Sequence, residues 1–425
     1  MIRSNRISIL GAGLVLLLVC TQSVAMPEFA RKYEISCNAC HSAFPRLNEF
    51  GETFAGNNMK LENWRKNTQS MGDDRLALPE TPPLAMRMQG FAQARKGENI
   101  DPQTGARVQA DTDFQSPYLI KLLSSAPLSE NITYYFYGIM AEKGQNSDIL
   151  LEDAWFRHDD LFGTDVGLQL GQFQISDLMF PRETRLTFQD YMVYRMAGIT
   201  YDRGVLFDRG AGPFDIGVGL MNGNGITANA TVNSPGYQRP DHLFDNNNGK
   251  TAFGRIGLDA GPVALGLFGL SGEQKSVVPG TAGTQRSNQD VDKRVAGVDL
   301  SGTIAGNTHW FVQYLYNEWD NFLGPQDREW SGGFAGIDYI PNDRWAFSTL
   351  YNYADAEDLA DTDTIYEGID MNSLTFTASY YFMRNLKGIA EINADFLEEE
   401  DQTGANFTGH LDKEHYFLIG LDAAF

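Results

Sequence analysis

Cysteine is almost missing from this chain. Three occur in 425 residues, at positions 20, 37 and 40. Histidine is nearly as scarce: there are six, and none lies between His41 and His158. A structural zinc site needs about four nitrogen or sulfur ligands, and Cys37, Cys40 and His41 do not complete that set. Basic residues are outnumbered, with 33 Lys and Arg against 55 Asp and Glu and a net charge of −22. Nucleic-acid binding needs basic surface, so no nucleic-acid partner is expected. Beyond the N-terminal leader, no stretch approaches the roughly 20 apolar residues of a membrane-spanning helix. No nucleophile–base constellation stands out either, which leaves a hydrolase or other classical enzyme with little support.

What is present begins with a leader. Arg3 and Arg6 precede the apolar run ISILGAGLVLLLVC, and Ser23-Val24-Ala25 forms a small-residue cleavage site before Met26, the pattern of a secretory signal. The run is short for a membrane anchor, and Val19 stands where a lipoprotein signal at Cys20 needs a small residue. Cleavage after Ala25 removes Cys20, so the mature chain keeps only Cys37 and Cys40. Residues 26–80 carry nearly balanced charge, which puts almost all the acidity downstream. The proline-containing stretch LALPETPPLA, residues 76–85, reads as a linker. The expected organisation is a signal peptide over 1–25, a small domain of short helices over 26–80, and a larger region over 81–425.

The larger region is rich in glycine (43) and aromatics (12%), as all-β chains are. Its pattern has period two. LTFTASYYF sets Leu374, Phe376, Ala378, Tyr380 and Phe382 on one face and Thr375, Thr377, Ser379 and Tyr381 on the other. WAFSTLYNY and HWFVQYLYN repeat the alternation, which is a strand signal. Sixteen such segments start near residues 84, 116, 132, 149, 166, 193, 215, 251, 261, 293, 307, 330, 344, 371, 388 and 413. Short connections such as PLSEN, DAGP and IPND alternate with long polar ones at 175–192, 223–250, 272–292 and 356–370. A transmembrane barrel predicts this asymmetry of short periplasmic turns and long external loops. The last strand, YFLIGLDAAF, ends on an aromatic. The expected fold is an all-β, transmembrane antiparallel barrel of about sixteen strands, in preference to a soluble sandwich or solenoid. One misfit is ILLEDAWFRHD, where the neighbours Glu152 and Asp153 place one acid toward lipid unless a rim or bulge intervenes.

The chemistry concentrates in SCNACHSAF, residues 36–44. A thioredoxin-like dithiol needs a βαβ setting, which is absent. A haem of the c type needs only what is there. Two thiols separated by two residues form thioethers to one porphyrin edge, and the histidine after the second lies under the iron. The expected cofactor is one covalent haem c on Cys37 and Cys40 with His41 as proximal metal ligand. Phe44, Leu47, Gly51 and Phe54 recur at helical spacing and offer a face to pack on it. Met59 is the first choice for the distal ligand, with Met71 or a barrel residue as alternatives. His158, His242, His309, His410 and His415 are assigned to loops or the barrel lining. A 55-residue domain rarely buries enough surface alone, and a wide barrel has a lumen to fill, so the small domain is expected to plug or cap the barrel.

The stretch MPEFARKYEISCNACHSAFPRLNEFGETF resembles the N-terminal signature of fused outer-membrane monohaem cytochrome–porins, through Pro27, Phe29-Ala30-Arg31, Cys37, Cys40-His41, Pro45, Leu47, Phe50-Gly51 and Phe54. GLQLGQFQISD, FPRETRLTFQDY and YDRG give a looser likeness to the same group and to phosphate-selective-type porins. The resemblance implies electron passage between an extracellular donor such as Fe(II) and a periplasmic cytochrome or other carrier, across the bacterial outer membrane and its lipid. After Phe54 this chain departs from the family's usual run with AGNNMK. The acidic segments DAEDLADTDTIYEGID and FLEEEDQ fall in expected external loops and read as solvated surface, with cation attraction as the other reading. Two function classes remain: an electron conduit whose barrel insulates the haem, in enzymatic terms an Fe(II):cytochrome c oxidoreductase, and a porin-like solute channel with a structural or sensory haem domain.

Overall fold

A computed structural model describes residues 28–57, 59–61, 83–96, 112–142, 150–223, 247–360, 362–398 and 415–425, with short pieces between them. The expected signal peptide, Met71, His242, His410 and most of FLEEEDQ lie outside the described residues. Sixteen antiparallel strands close into a barrel. In chain order they are Leu84–Lys96 (β1), Thr112–Pro127 (β2), Ile132–Glu142 (β3), Leu150–His158 (β4), Gly167–Gln174 (β5), Tyr201–Ala211 (β6), Phe214–Met221 (β7), Thr251–Asp259 (β8), Val263–Val277 (β9), Arg286–Ile304 (β10), Thr308–Trp319 (β11), Arg328–Asn342 (β12), Trp345–Asp355 (β13), Met371–Met383 (β14), Leu386–Asp395 (β15) and His415–Ala424 (β16). Each pairs with its chain neighbour, and β16 returns to β1 with Phe417 opposite Ala94 and Leu421 opposite Gly90. Closure leaves no free edge, which a bilayer requires because its core offers backbone groups no water.

Burial runs opposite to that of a soluble sheet. On β14 the small polar residues Thr375, Thr377 and Ser379 are at most 1% exposed, whereas Phe376 is 47% exposed. The polar face therefore packs on the lumen and the apolar face points outward, as lipid demands. Outward aromatics gather toward both ends of the wall. Trp345, Tyr380 and Phe382 contact one another near the short turns, and Tyr351 stacks with Tyr353 nearer the long loops. No helix of the described residues is long and apolar enough to cross a membrane.

Three expectations need correction. The sixth strand begins at Tyr201 rather than near 193. The residues before it, 175–200, are not a polar external loop: they fold into the lumen and carry the short helix Met192–Met196. They turn inward because Ile175, Leu186, Tyr191, Val193, Tyr194, Ala197 and Ile199 are almost wholly buried. Tyr191 stacks on Phe334 at 4.2 Å, the Tyr194 hydroxyl donates to Gln313 at 3.2 Å, and Glu391 accepts from the backbone amides of Phe188 and Gln189. The connection expected over 272–292 shrinks to residues 278–285, because β9 and β10 extend past the bilayer-spanning length of about 9–11 residues to 15 and 19 residues.

The Glu152–Asp153 misfit is resolved by a register shift. Leu151 pairs with Gly138 and Asp153 with Tyr137, so one residue is inserted between them. The bulge lets both acids face inward: Asp153 is 7% exposed, and Glu152 lies 3.6 Å from Lys121.

The N-terminal residues mix helices with hairpins. Three short helices, Glu28–Tyr33 (α1), Cys37–Cys40 (α2) and Glu49–Gly56 (α3), are interrupted by paired residues His41–Ala43 and Arg46–Leu47. The helical stripe expected through Phe44, Leu47, Gly51 and Phe54 is therefore split: only Gly51 and Phe54 share a helix. Pro45, in the turn between the paired strands, cannot donate the backbone bond that a continuous helix would need there.

Candidate functional site

One turn of helix, α2, places Cys37 and Cys40 three residues apart and hence on one side. Both are free thiols. The α3 helix packs directly on this turn. Its Asn48 cap accepts from the Gly51 amide at 2.9 Å and donates to the Ala39 carbonyl at 3.0 Å. Gly51 stands so close that an added Cβ would fall 2.0 Å from the Cys40 carbonyl oxygen. Phe54 fixes α1 to α3 through edge contacts with Phe29 and Tyr33 at 5.3 and 5.6 Å.

His41 follows the turn in extended backbone. Its Nδ1 faces the Pro45 carbonyl oxygen at 3.1 Å. A carbonyl only accepts, so this contact calls for a proton on Nδ1 and leaves Nε2 with its lone pair. Burial lowers the imidazole pKa below its ordinary value, which keeps the ring neutral and able to ligate a metal. Burial raises the pKa of both thiols, and Cys37 adds to the rise at Cys40.

Met59 comes back to the same place. It adopts φ 59°, and its amide donates to the Phe54 carbonyl at 2.9 Å. The Ser125 hydroxyl of β2 lies 3.1 Å from its sulfur. Cys37, Cys40, His41 and Met59 thus line one cavity of about 290 Å³, at the small end of the roughly 300–1,000 Å³ typical of ligand clefts. Leu47, Phe54, Leu123 and Tyr135 make much of its wall apolar, and Arg87, Lys121 and Glu183 form a charged edge.

The barrel holds this segment at the end bearing the short turns. Arg46 pairs with Asp338 of β12 and lies over the Phe311 ring at 5.3 Å. The Phe44 carbonyl accepts from the Tyr381 hydroxyl at 2.6 Å and from the Lys387 ammonium at 3.0 Å. Lys60 donates to the Glu130 carbonyl and pairs with Asp159, both in short turns. Ala43 meets Leu186 of the inward segment in one buried cluster.

The sequence picked out Cys37, Cys40, His41 and Met59, and all four border the same cavity. It missed Arg87, Lys121 and Glu183, which border the cavity from the wall and the inward segment, and Ser125, which touches the Met59 sulfur; none carries a local signal. His158 and His415 sit at strand ends, where their Nδ1 atoms accept backbone amides, and His309 stacks on Phe311. Parts of the acidic loop are internal struts: Asp370 accepts from the Ala356 amide, and the buried Glu367 accepts from the Asp363 amide.

No protein-family model and no curated protein matches the chain. Solved structures do. An anion-selective porin from Comamonas acidovorans is similar with a TM-score of 0.51 and 13% identity, over 81% of this chain and 99% of that one. OmpF of Salmonella typhi, in complex with daunomycin, gives 0.51 and 12% over 80% and 97%. OmpT of Vibrio cholerae, in its trimer form, gives 0.50 and 14% over 81% and 99%. At these identities the likeness concerns the fold: the chain is a closed, sixteen-stranded antiparallel barrel of the outer-membrane porin type.

Proposed function

We propose that residues 26–80 hold one covalent haem c and that the protein passes electrons between an extracellular donor, Fe(II) in the first instance, and a periplasmic cytochrome or other carrier. On this reading the chain would be one of the fused outer-membrane cytochrome–porins. The reading is carried by one observation: two thiols, an imidazole whose Nδ1 faces the Pro45 carbonyl and a thioether border a single mostly apolar cavity at the barrel mouth. The residues suit the group. Cys37 and Cys40 would attach it, and His41 and Met59 would ligate its iron. Leu47, Phe54, Leu123 and Tyr135 would cover its faces and exclude water, and Arg87 and Lys121 would meet its anionic carboxylates. The bound iron would supply one-electron chemistry at a potential set by its axial ligands and burial. The barrel would insulate it and tie it to the outer membrane.

The test begins with expression in a host that attaches c-type haem. Haem should remain with the polypeptide on a denaturing gel, Cys40→Ala should lose normal two-thioether attachment, and Met59→Ala should shift the reduced absorption spectrum. Fe(II) added near neutral pH should reduce the haem within seconds. Absence of covalent haem would end this reading. A second reading, a porin-like solute channel, is favoured by the barrel's likeness to porins. It requires bilayer conductance and substrate-dependent uptake, against which stands the segment 175–200 packed across the lumen.

A further inference from the structure

Met59 is held more completely than a packing methionine requires. A methionine side chain turns about three bonds and adapts to irregular gaps. Here the backbone is fixed first. Met59 sits at φ 59°, a left-handed conformation that costs a non-glycine residue energy and persists only where its surroundings impose it. Its amide donates to the Phe54 carbonyl at 2.9 Å, and its carbonyl accepts from the Tyr33 hydroxyl at 3.0 Å. The next residue, Lys60, is tied to the Glu130 carbonyl and to Asp159 in two short turns of the barrel. Contacts from α1, α3 and the turns therefore converge on one strained residue.

The sulfur is fixed by the wall. Ser125 of β2 is 1% exposed and lies two residues along the strand from Leu123, which lines the thiol cavity; side chains two apart share a face. The Ser125 hydroxyl stands 3.1 Å from the Met59 sulfur and 2.9 Å from the Tyr134 carbonyl oxygen. A hydroxyl carries one proton, so the sulfur and this carbonyl share it. A thioether sulfur has two lone pairs, one for a hydroxyl proton and one for a metal. A proton donated to the sulfur draws electron density from it. A thioether that gives less density stabilises the ferric charge less, and the balance moves toward ferrous iron.

We propose that Ser125 is a positioning residue: it aims the Met59 thioether into the thiol cavity and, through its hydroxyl proton, moves the iron's reduction equilibrium toward the ferrous state. The inference rests on the haem reading above. It gives the barrel wall a part in the redox chemistry, because Ser125 belongs to β2 whereas Cys37, Cys40, His41 and Met59 belong to residues 26–80. Ser125→Thr keeps the hydroxyl, and Ser125→Val has nearly the shape of threonine without it. The haem-loaded full chain is equilibrated with a one-electron mediator, which supplies the electron that takes ferric iron to ferrous. The ferrous-to-ferric ratio should stay near the parent's in Ser125→Thr and fall about fivefold in Ser125→Val, the factor that one ordinary hydrogen bond supplies. A second readout needs no haem. In chain produced without haem attachment, hydrogen peroxide should convert Met59 to its sulfoxide about fivefold faster in Ser125→Val than in Ser125→Thr, because the donated proton occupies a lone pair that attacks peroxide. Met371 of β14 should oxidise equally in both. If Ser125→Val gives no heat-modifiable folded band, Ser125→Ala takes its place. A parent chain without covalent haem would end the haem reading and leave the peroxide rates to decide the role of Ser125. Equal ratios in the two variants of the loaded chain, or equal peroxide rates at Met59 where the parent carries no haem, overturn the proposal.

Discussion

Arg46 of the N-terminal segment forms a buried ion pair with Asp338 of the barrel wall, 292 residues away. Asp338 is 1% exposed and is held in turn by the Ser348 hydroxyl at 2.6 Å. Removing one member of such a pair strands the other charge without water, which costs about 3–5 kcal/mol. Asp338→Ala should therefore loosen the docking of residues 28–61 far more than it disturbs the barrel. Limited proteolysis should cut near the linker faster in the variant while the barrel keeps its heat-modifiable mobility. Unchanged cleavage would mean that the segment is held without this pair.

Gly51 makes a second, purely steric prediction. With an added Cβ only 2.0 Å from the Cys40 carbonyl oxygen, α3 cannot keep its seat on the thiol turn. Gly51→Ala should displace α3, open the wall of the cavity and expose the two cysteines. In protein produced without haem attachment, maleimide labelling of Cys37 and Cys40 should be faster than in the parent chain. A neighbouring exposed position, Glu49→Ala, should label at the parent rate.

The inverted burial of the wall can be tested by charge. Phe376 faces outward on β14 and Thr375 faces the packed lumen. A lysine on the lipid face near the bilayer midplane costs about 2–4 kcal/mol, falling toward the interfaces. Phe376→Lys should lower folding stability in lipid vesicles by an amount in that range, with the outward Tyr380→Lys, nearer the short turns, costing less. Equal costs at the two positions would contradict the depth assigned to them.

The barrel was legible because a lipid-facing wall writes apolar and polar residues in strict alternation, and because turn length alternates with side. Fourteen of the sixteen expected starts fall within about four residues of the observed ones, while β10 begins early at Arg286 and β6 late at Tyr201. The late start is instructive. Tyr191, Val193 and Ile199 give an apolar run that reads as strand, yet it is an inward segment whose apolar side chains have a filled lumen to pack in. Periodicity records that a residue is buried, not which surface buries it. The bulge at Glu152 was visible only as a misfit. At the thiol cavity, Cys37, Cys40 and His41 announced themselves by spacing, whereas the Pro45 carbonyl, Gly51 and Ser125 act through close approaches that no spacing rule encodes.

Glu183 ties the inward segment to the wall, accepting from Lys121 at 3.0 Å and from the Tyr137 hydroxyl at 3.0 Å. Burial pushes its carboxyl pKa up, but Lys121, Arg185 and Arg87 outweigh that and hold it well below the ordinary carboxylate value. A carboxylate depressed in the folded state contributes stability that is fully present above its unfolded pKa, about 4.3, and is lost as pH falls through the folded value. The tie should therefore hold across neutral and mildly acidic pH and fail only in strong acid. Glu183→Gln has no such charge to lose. In thermal unfolding followed by gel mobility, the variant should be less stable than the parent at about pH 7, and the gap should close as the pH is taken from about 5 down to about 2. A gap that stays constant over that range would show that Lys121 and its neighbours do not hold the segment through the charge on Glu183.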